Sequence, residues 1–386
     1  MHLLVHMTSV HSEDDVRVFY KECRTLVFNG YDVVLIAPAK RPTTVCDQVD
    51  GVRIRILYRQ STRWRRLSRT VPQVYRAAVD ADAEIYHFHD PELIPVGLLL
   101  KLRGKRVIYD VHENLPLQIH SKLWIPSLLR KGVAFVIDVL ERMSSQAFDA
   151  IVAATPTIAR RFPAEKTISV QNFALPEEMR MLDSHLYPER TPGTFLYVGG
   201  VTKARGAFEM ISAIRKLPAE LNPRLIMAGP LESPQLANSL AELNCPAVQI
   251  LGGQRHSAII QLLSRARVGM LTLHPTRNHL DALPVKLFEY MSAGIPVIAS
   301  DFPLWRRIIE DAECGLLVDP EDPEAIAAAM LWMVEHPEQA QYMGRCGREM
   351  VIRKYNWNTE AEKLVRLYEA LTGRGTNIPE RVSCAE

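Results

Sequence analysis

One segment of the sequence that could bind an anion contains a glycine pair followed by two cationic residues. Gly199 and Gly200 come directly after an apolar run, and Gly206 precedes a helix-like segment. Glycines let the backbone approach a ligand closely, and the free N–H groups at a helix start attract negative charge. Lys203 and Arg205 add two positive charges. The segment predicts a cradle for a diphosphate, although a glycine turn with two solvated cations would have the same sequence.

Two acidic residues lie eight positions apart around the start of a second helix. Asp281 precedes Pro284 and Val285, which suit the first turn of a helix, and Glu289 lies just over one turn further on. Two carboxylates so placed can bind neighbouring hydroxyls of one ligand, while the helix start and Lys286 favour its phosphates. The alternative is one solvated acid and one acid in a salt bridge, which is the commoner arrangement.

Histidines and a carboxylate follow two apolar runs in the first half of the chain. His112 follows one run, and His89 and Asp90 follow another. Parallel sheets bind ligands beyond the carboxyl ends of their strands, so all three residues could contact a substrate. A histidine at a strand end is more often structural. His87 and His89 with an adjacent acid could also, in principle, bind a metal.

These residues are positioned by an alternation of strands and helices. Short apolar runs predict buried parallel strands, and the amphipathic stretches between them predict helices, so the first half is an α/β layer. The strands are Leu3–Met7, Val33–Ala37, Ile85–Phe88, Val107–Tyr109 and Ile151–Ala154, with helices Val16–Phe28, Leu67–Val79, Pro91–Leu102 and Ile125–Ala147.

The same alternation restarts after a proline- and charge-rich stretch, Asn172–Gly193, which reads as an interdomain connection. Two α/β domains are therefore expected. The second has predicted strands Phe195–Val198, Leu225–Ala228, Val248–Leu251, Val268–Leu273, Val297–Ala299 and Gly315–Val318.

The stretch Asp281–Val297 resembles the acidic-x7-Glu signature of family 4 of the retaining glycosyltransferases, particularly bacterial variants that read LPxKLFEYMxAGxPV. With Gly199–Gly206, His112 and the segment Tyr355–Trp357, the resemblance extends over essentially the whole chain. It implies an α/β GT-B fold, in which two Rossmann-like parallel-sheet domains face a cleft. Residues 1–175 would form the acceptor-side domain, 190–356 the nucleotide-sugar donor domain, and the helix 357–386 would pack back on the first.

The resemblance also implies roles for the site residues. Glu289 would bind the ribose hydroxyls of the donor, and Asp281, where the family most often has Glu, would face the donor sugar. The family's Arg-Leu after the first glycine is absent here, and we infer that Lys203 supplies the missing charge. The predicted catalytic residues are His112, Asp281, Lys203 and Arg205; the donor-binding residues are Gly199, Gly200, Pro284, Val285, Lys286 and Glu289; the acceptor-side residues are Asp15, Arg17, His89 and Asp90.

The function implied is retaining transfer of a sugar from a nucleotide-diphosphate sugar, of UDP or GDP type, to a hydroxyl of a glycan or lipid-linked acceptor in cell-surface polysaccharide synthesis. No metal and no cofactor is expected, since GT-B enzymes generally use none. Two alternatives remain open. One is a GT-B sugar-nucleotide epimerase, and the other is a membrane-docked nucleotide-sugar binder without catalysis.

Charge patterning suggests the partners. The 46 Lys+Arg against 44 Asp+Glu leave +2, which gives no reason to expect nucleic acid. Between Asp50 and Asp80 there are eight arginines and no acid, the Arg53–Arg76 region, and Trp124–Lys131 mixes apolar and basic residues. These two regions predict docking on an anionic inner-membrane surface, with a solvated arginine face and a packed helix as alternatives. The scattered cysteines and the lack of a signal-peptide pattern predict a cytoplasmic protein at that membrane.

Overall fold

The computed structural model describes residues 2–39, 47–60, 62–121, 125–175, 191, 193–280 and 282–374. Asp281 of the predicted site and Trp124 of the predicted membrane-docking segment lie outside the described residues. The chain forms two compact units. The first contains the residues up to Asn172 together with those from Trp357 onward, and the second contains Phe173–Asn356.

The first unit is built on a sheet whose described strands are all parallel except for one antiparallel edge pair. Its strands are β1 Leu3–Met7, β2 Asp32–Ala39, β3 Asp47–Val49, β4 Val52–Tyr58, β5 Ile85–Phe88, β6 Arg106–Val111, β7 Ala150–Ala153 and β8 Thr167–Ser169. They are ordered β3-β4-β2-β1-β5-β6-β7-β8, and β3 is the antiparallel edge strand. The central strands are buried on both faces, as in any sheet covered by helices on two sides.

Helices cover both faces of this sheet. One of them, Trp357–Thr372, comes from the far end of the described chain, and its Trp357 donates a hydrogen bond from Nε1 to Thr25 Oγ1 at 2.8 Å. The other helices are Val16–Cys23, Arg24–Phe28, Arg63–Arg65, Arg66–Thr70, Val71–Ala81, Ile94–Leu102, Leu115–Ser121, Ser127–Ala147 and Pro156–Ala159, with short turns at Pro91–Leu93 and Ala164–Lys166.

The second unit contains a six-stranded parallel sheet among its described residues. Its strands are β9 Thr194–Val198, β10 Arg224–Ala228, β11 Val248–Gly252, β12 Val268–Leu271, β13 Val297–Ser300 and β14 Gly315–Val318, in the order β11-β10-β9-β12-β13-β14. That is the doubly wound order of dinucleotide-binding folds. The helices are Ala207–Ile214, Pro234–Glu242, His256–Arg265, Arg277–Leu280, Val285–Ser292, Pro303–Asp311, Pro323–Glu335 and Pro337–Arg353, with short turns at Lys203–Arg205 and Ala219–Leu221.

Strand β4 corrects the interpretation of the Arg53–Arg76 region as one basic surface. Side chains alternate across a strand, so Val52 is buried while Arg53 points outward. Arg53 forms an ion pair with Asp32 at 2.7 Å, and Arg55 forms one with Asp80 at 3.0 Å. The acids that pair with these two arginines come from other parts of the sequence, which the local count of charges does not show.

No helix in the described ranges combines the length and the apolar character needed to cross a lipid bilayer.

Candidate functional site

Both sheets change the direction of their strand order beside their first strand. In the first unit β1 lies between β2 and β5, and in the second unit β9 lies between β10 and β12. Ligands of open α/β sheets bind outside the carboxyl ends of the strands at such a point. His89 and Asp90 directly follow β5, and Gly199 and Gly200 directly follow β9, so two of the predicted groups lie where ligands are expected.

The glycine loop after β9 is packed too tightly for any side chain at its last position. Gly206 has φ of 74°, and a Cβ there would lie 2.1 Å from the carbonyl oxygen of Thr272. Gly199 has φ of 121°, and its Cβ would lie 2.7 Å from Lys286 Nζ. The loop therefore needs glycine both for its backbone conformation and to leave room for the lysine.

Lys286, Arg205 and Tyr197 form a cationic cluster around this loop. Lys286 Nζ donates a hydrogen bond to the Tyr197 hydroxyl at 3.1 Å and lies 4.2 Å from the centre of its ring. The Tyr197 hydroxyl donates in turn to the carbonyl oxygen of Gly200 at 2.9 Å, and Arg205 Nη1 lies 3.5 Å from the same oxygen. Burial and then the Arg205 charge lower the pKa of Lys286 to about 7, against a smaller opposing effect of Glu289. The cluster thus brings two cationic side chains together, with Glu289 as a weaker opposing charge.

The helix Val285–Ser292 positions Lys286 and Glu289 one turn apart. It is held against β9 because the backbone N–H of Val198 donates to the Tyr290 hydroxyl at 2.9 Å. Pro284 precedes the first turn of the helix with extended backbone, so the sequence pattern located this start correctly. Glu289 is partly buried, whereas Lys203 is exposed. The structure therefore gathers Arg205, Lys286 and the glycines closely and leaves Lys203 at the surface.

In the first unit, His112 is bonded to a buried acid that the sequence analysis did not select. Asp110 Oδ2 lies 3.0 Å from His112 Nε2 and 3.2 Å from His89 Nδ1. Burial alone would raise the pKa of Asp110, but the charges of Arg17 and His112 hold it well below its usual value. Asp110 is therefore a buried carboxylate that orients both imidazoles. Its signal in the sequence was the spacing of two between Asp110 and His112, which places both on one face of the sheet.

Arg17 was predicted to contact the acceptor, but its guanidinium is bonded to groups inside the first unit. Its Nε and Nη2 bind Asp110 at 3.1 and 3.0 Å, its Nη1 donates to the carbonyl oxygen of Val170 at 2.9 Å, and its Nε lies 3.0 Å from Glu22 Oε1. Only 4% of Arg17 is exposed. Because its donors are already used inside the unit, Arg17 anchors the Asp110 carboxylate rather than meeting an acceptor.

Asp15 and Asp90 both accept hydrogen bonds from the segment that follows β1. Asp15 accepts hydrogen bonds from two backbone N–H groups of the helix Val16–Cys23 and lies 3.0 Å from His11 Nδ1. Asp90 is buried and accepts from the Thr8 hydroxyl and from the N–H of Ser9, both at 2.7 Å. Both carboxylates therefore fix the loop after β1, and among the predicted residues of this unit Asp15 and His112 are partly exposed.

The two-unit architecture is that of the GT-B glycosyltransferases. Sucrose-phosphate synthase of Thermosynechococcus elongatus is similar with a TM-score of 0.76 at 17% identity, over 97% of this chain and 100% of that chain. HepE of Anabaena, in complex with UDP and glucose, is similar with a TM-score of 0.71 at 13% identity, over 96% of this chain and 100% of that chain. At these identities the likeness establishes the fold, as the sequence resemblance implied.

Sequence comparison then defines the family. The family of glycosyl transferases group 1 matches residues 186–350, and the glycosyl transferase 4-like domain matches residues 16–171. Phosphatidyl-myo-inositol mannosyltransferase of Mycolicibacterium smegmatis is 24% identical over 90% of this chain and 88% of its own length. D-rhamnosyltransferase WbpZ of Pseudomonas aeruginosa is 27% identical over 71% of this chain and 69% of its own length. The chain belongs to family 4 of the glycosyltransferases, and the two family models together cover most of its length.

Proposed function

We propose that this protein transfers a sugar, with retention of anomeric configuration, from a nucleotide-diphosphate sugar to a hydroxyl of a glycan or lipid-linked acceptor. The observation that carries the proposal is the cationic cluster of Lys286 and Arg205 around the glycine loop. A diphosphate would supply the negative charge that this cluster lacks. The solved complexes of HepE with UDP and with UDP-glucose support a nucleotide sugar as the donor.

The second unit would hold the donor. Backbone N–H groups of the glycine loop and of the helix start at Val285 would bind the diphosphate, and Glu289 would bind the ribose hydroxyls. As the bond to the anomeric carbon breaks, negative charge grows on the leaving diphosphate, and Lys286 and Arg205 would stabilise it. Removing one such group typically costs about 10²–10³ in rate.

In the first unit, His112 would contact the donor sugar beside the reacting carbon. Its Nε2 is bonded to Asp110, so the opposite ring nitrogen would be the one that meets a sugar hydroxyl. Retention would follow from attack on the face that the diphosphate leaves, with a phosphate oxygen taking the acceptor proton. The transfer itself is proposed to need neither a metal nor a cofactor.

The test begins with thermal unfolding of the protein in the presence of UDP, GDP and their common sugar conjugates. A ligand present at about 100 times its dissociation constant stabilises by about 2.7 kcal/mol, which is readily measured. Transfer is then followed with the stabilising donor, with and without acceptor glycans. The anomeric proton coupling of the product in an NMR spectrum reports retention or inversion. Turnover of donor without acceptor into an epimer would favour the epimerase, and nucleotide binding without any turnover would favour the non-catalytic binder.

We further propose that the enzyme docks on an anionic membrane surface through the helix Ser127–Ala147. Leu128 and Phe135 on this helix are 93% and 68% exposed. With Val136 and Met143 they recur at spacings of seven and eight, which places them on one face. The sequence from Asn114 to Ile137 contains no acid, and Lys131 beside this apolar face is exposed. An apolar face with an exposed lysine beside it favours an anionic bilayer over a protein partner.

Vesicle flotation tests this docking. The protein is expected to float with vesicles that contain phosphatidylglycerol and to stay in solution with pure phosphatidylcholine. Leu128→Glu combined with Phe135→Glu should abolish flotation, whereas Ile352→Glu, an exposed apolar residue of the second unit, should not. Equal flotation of the double variant and the wild type would refute the role of this helix.

A further inference from the structure

Three histidines and a glutamate converge in the core of the first unit, below the loop that carries His112. His6 on β1 pairs in register with His87 on β5, and His89 lies two residues further on, so the three rings share one face of the sheet. Glu22, on the helix Val16–Cys23, approaches the same face. All four residues are buried, with at most 2% exposed. Buried groups of this kind are either paired with one another or bind a metal.

Their potential ligand atoms lie as close together as the ligands of one metal ion. His6 Nδ1 lies 3.0 Å from His89 Nε2. Glu22 Oε2 lies 3.9 Å from His6 Nδ1, 4.0 Å from His89 Nε2 and 4.0 Å from His87 Nδ1. All four ligand atoms lie within 4.8 Å of one another. In a tetrahedral zinc site with bonds of about 2.0–2.1 Å, neighbouring ligand atoms are about 3.3 Å apart. The four groups can therefore reach one ion through small shifts.

The atoms of these groups that face away from the cluster have contacts of the kind that orient metal ligands. The second ring nitrogen of His89, Nδ1, lies 3.2 Å from the Asp110 carboxylate, and that of His6, Nε2, lies 3.0 Å from the Tyr368 hydroxyl. Metal-binding histidines usually donate this second N–H to a carboxylate or another oxygen, which fixes the ring and its tautomer. The second oxygen of Glu22 lies 3.0 Å from the Arg17 guanidinium. Three of the four groups thus have a partner outside the cluster.

Glu22 distinguishes a metal site from a network of hydrogen bonds. Tyr368 lies 2.8 Å from His87 Nδ1 and 3.0 Å from His6 Nε2, so it and the three rings can bond to one another, except at His87 Nε2, which has no hydrogen-bond partner among the described residues. Glu22 Oε2, however, has no hydrogen-bond partner among the described residues. The guanidinium of Arg17 beside it is already shared with Asp110. A buried carboxylate oxygen without a partner is costly, and a cation at the centre of the cluster would remove that cost.

We propose that His6, His87, His89 and Glu22 bind one divalent transition-metal ion, with Zn²⁺ as the favoured metal. Three imidazoles and one carboxylate suit zinc better than magnesium or calcium, which prefer oxygen ligands. Four protein ligands leave no open position, so the ion would be structural. It would tie the helix Val16–Cys23 to β1 and β5. The sugar transfer proposed above takes no step through it.

Metal content of the purified protein is the first test. The protein is prepared without a histidine tag from cells grown with zinc, and is analysed by mass spectrometry of its elements. We expect about one zinc per chain in the wild type and in the control His336→Gln, a histidine of the second unit, and less than one tenth of that in His87→Gln and Glu22→Gln. Because the site is fully buried, brief treatment with EDTA should leave the ion in place.

Cobalt substitution keeps the proposal testable when the core variants do not fold. Wild-type protein is unfolded with a chelator and refolded with Co²⁺, which absorbs visible light strongly when it is bound tetrahedrally. One equivalent of Co²⁺ with such a spectrum supports the site. A wild type that carries no metal and takes up none on refolding overturns it in favour of a metal-free network, and zinc retained by both folded variants overturns these ligands. These results do not depend on transferase activity, so failure of the proposed function would be seen separately.

Discussion

The lowered pKa of Lys286 leads to a prediction about how the enzyme binds its donor. Lys286 is held beside Arg205 and is largely screened from water, so its ammonium form is disfavoured until an anion arrives. A diphosphate at the glycine loop would reverse this and raise the pKa of the lysine toward its ordinary value of 10.5. Nucleotide binding should therefore take up a proton when the pH is above about 7.

The size of the effect follows from the pKa of about 7. Lys286 is then about half protonated at pH 7, about one tenth protonated at pH 8 and about one hundredth at pH 9. Affinity for UDP or GDP should fall about fivefold from pH 7 to pH 8 and about tenfold more by pH 9. Other groups do not mask this. Burial first, and then nearby positive charges, lower the pKa of the neighbouring His279, so it titrates below this range, and a terminal phosphate with a pKa of about 6 is already ionised.

Stability should change in the opposite direction. The folded protein disfavours the ammonium form of Lys286, so the unfolded chain binds more protons between pH 7 and pH 10.5. The free energy of unfolding of the second unit should therefore gain from this lysine as the pH rises through that window, while donor affinity falls. Opposite pH dependences of the free energy of unfolding and of the donor affinity are therefore the result expected for Lys286.

Isothermal titration calorimetry of the nucleotide at pH 7, 8 and 9, in buffers with different ionisation enthalpies, measures both affinity and proton uptake. Lys286→Met should abolish the uptake and weaken binding at pH 7 by about 10- to 100-fold, the cost of one hydrogen bond to a charged group. Lys216→Met, at an exposed lysine of the same unit that pairs with Glu324, is the matched control and should bind as the wild type does. An affinity that is constant from pH 7 to pH 9, or a pH slope that persists in Lys286→Met, would refute the reasoning.

Three further predictions, tested with four substitutions, concern other parts of the structure. Glu289→Gln should weaken donor binding about tenfold without changing the melting temperature, because an amide accepts fewer hydrogen bonds from ribose than a carboxylate does; unchanged affinity in calorimetry would remove Glu289 from that role. Gly206→Ala should destabilise by about 3 kcal/mol or more in urea unfolding, since its Cβ would lie 2.1 Å from the Thr272 carbonyl oxygen. Gly252→Ala, also with positive φ but with nothing within 4 Å, should cost only about 1 kcal/mol, and equal losses would contradict the steric argument. Tyr368→Phe should destabilise by about 1–3 kcal/mol in the same assay, because its hydroxyl bonds two buried histidines; a loss within error would show that these bonds contribute nothing.

The strands of the two sheets were predictable wherever they were buried on both faces. β1 and β5 have the bounds that were predicted, because strands covered on both sides are mostly apolar. β4 was not predicted, because its apolar residues do not form a continuous run. It lies near the edge of the sheet, and Arg53 and Arg55 interrupt its apolar residues. Nothing local to that segment shows that Asp32 and Asp80 neutralise those arginines.

The cationic cluster of the candidate site lies beside local sequence signals, whereas the residues that support His112 do not. Lys286 and Arg205 stand next to recognisable proline and glycine residues. Glu22 lies within a segment that looks like an ordinary helix, and the local signal for Asp110 is its spacing of two from His112. Their importance depends on contacts across the fold, such as the one between Arg17 and Asp110, which are 93 residues apart.

The first unit is assembled from two distant parts of the chain, and this has a consequence for how the protein is made. During synthesis, residues up to Asn172 leave the ribosome first, yet β1 and β5 remain without Tyr368, and Thr25 without Trp357, until the last helix is translated. The second unit, Phe173–Asn356, is complete before that helix appears. Domains generally fold as units while the chain is being made. The second unit would therefore fold first. A chain interrupted before Trp357 would carry a complete second unit beside an incomplete first unit, which is the kind of partial product that chaperones and proteases recognise.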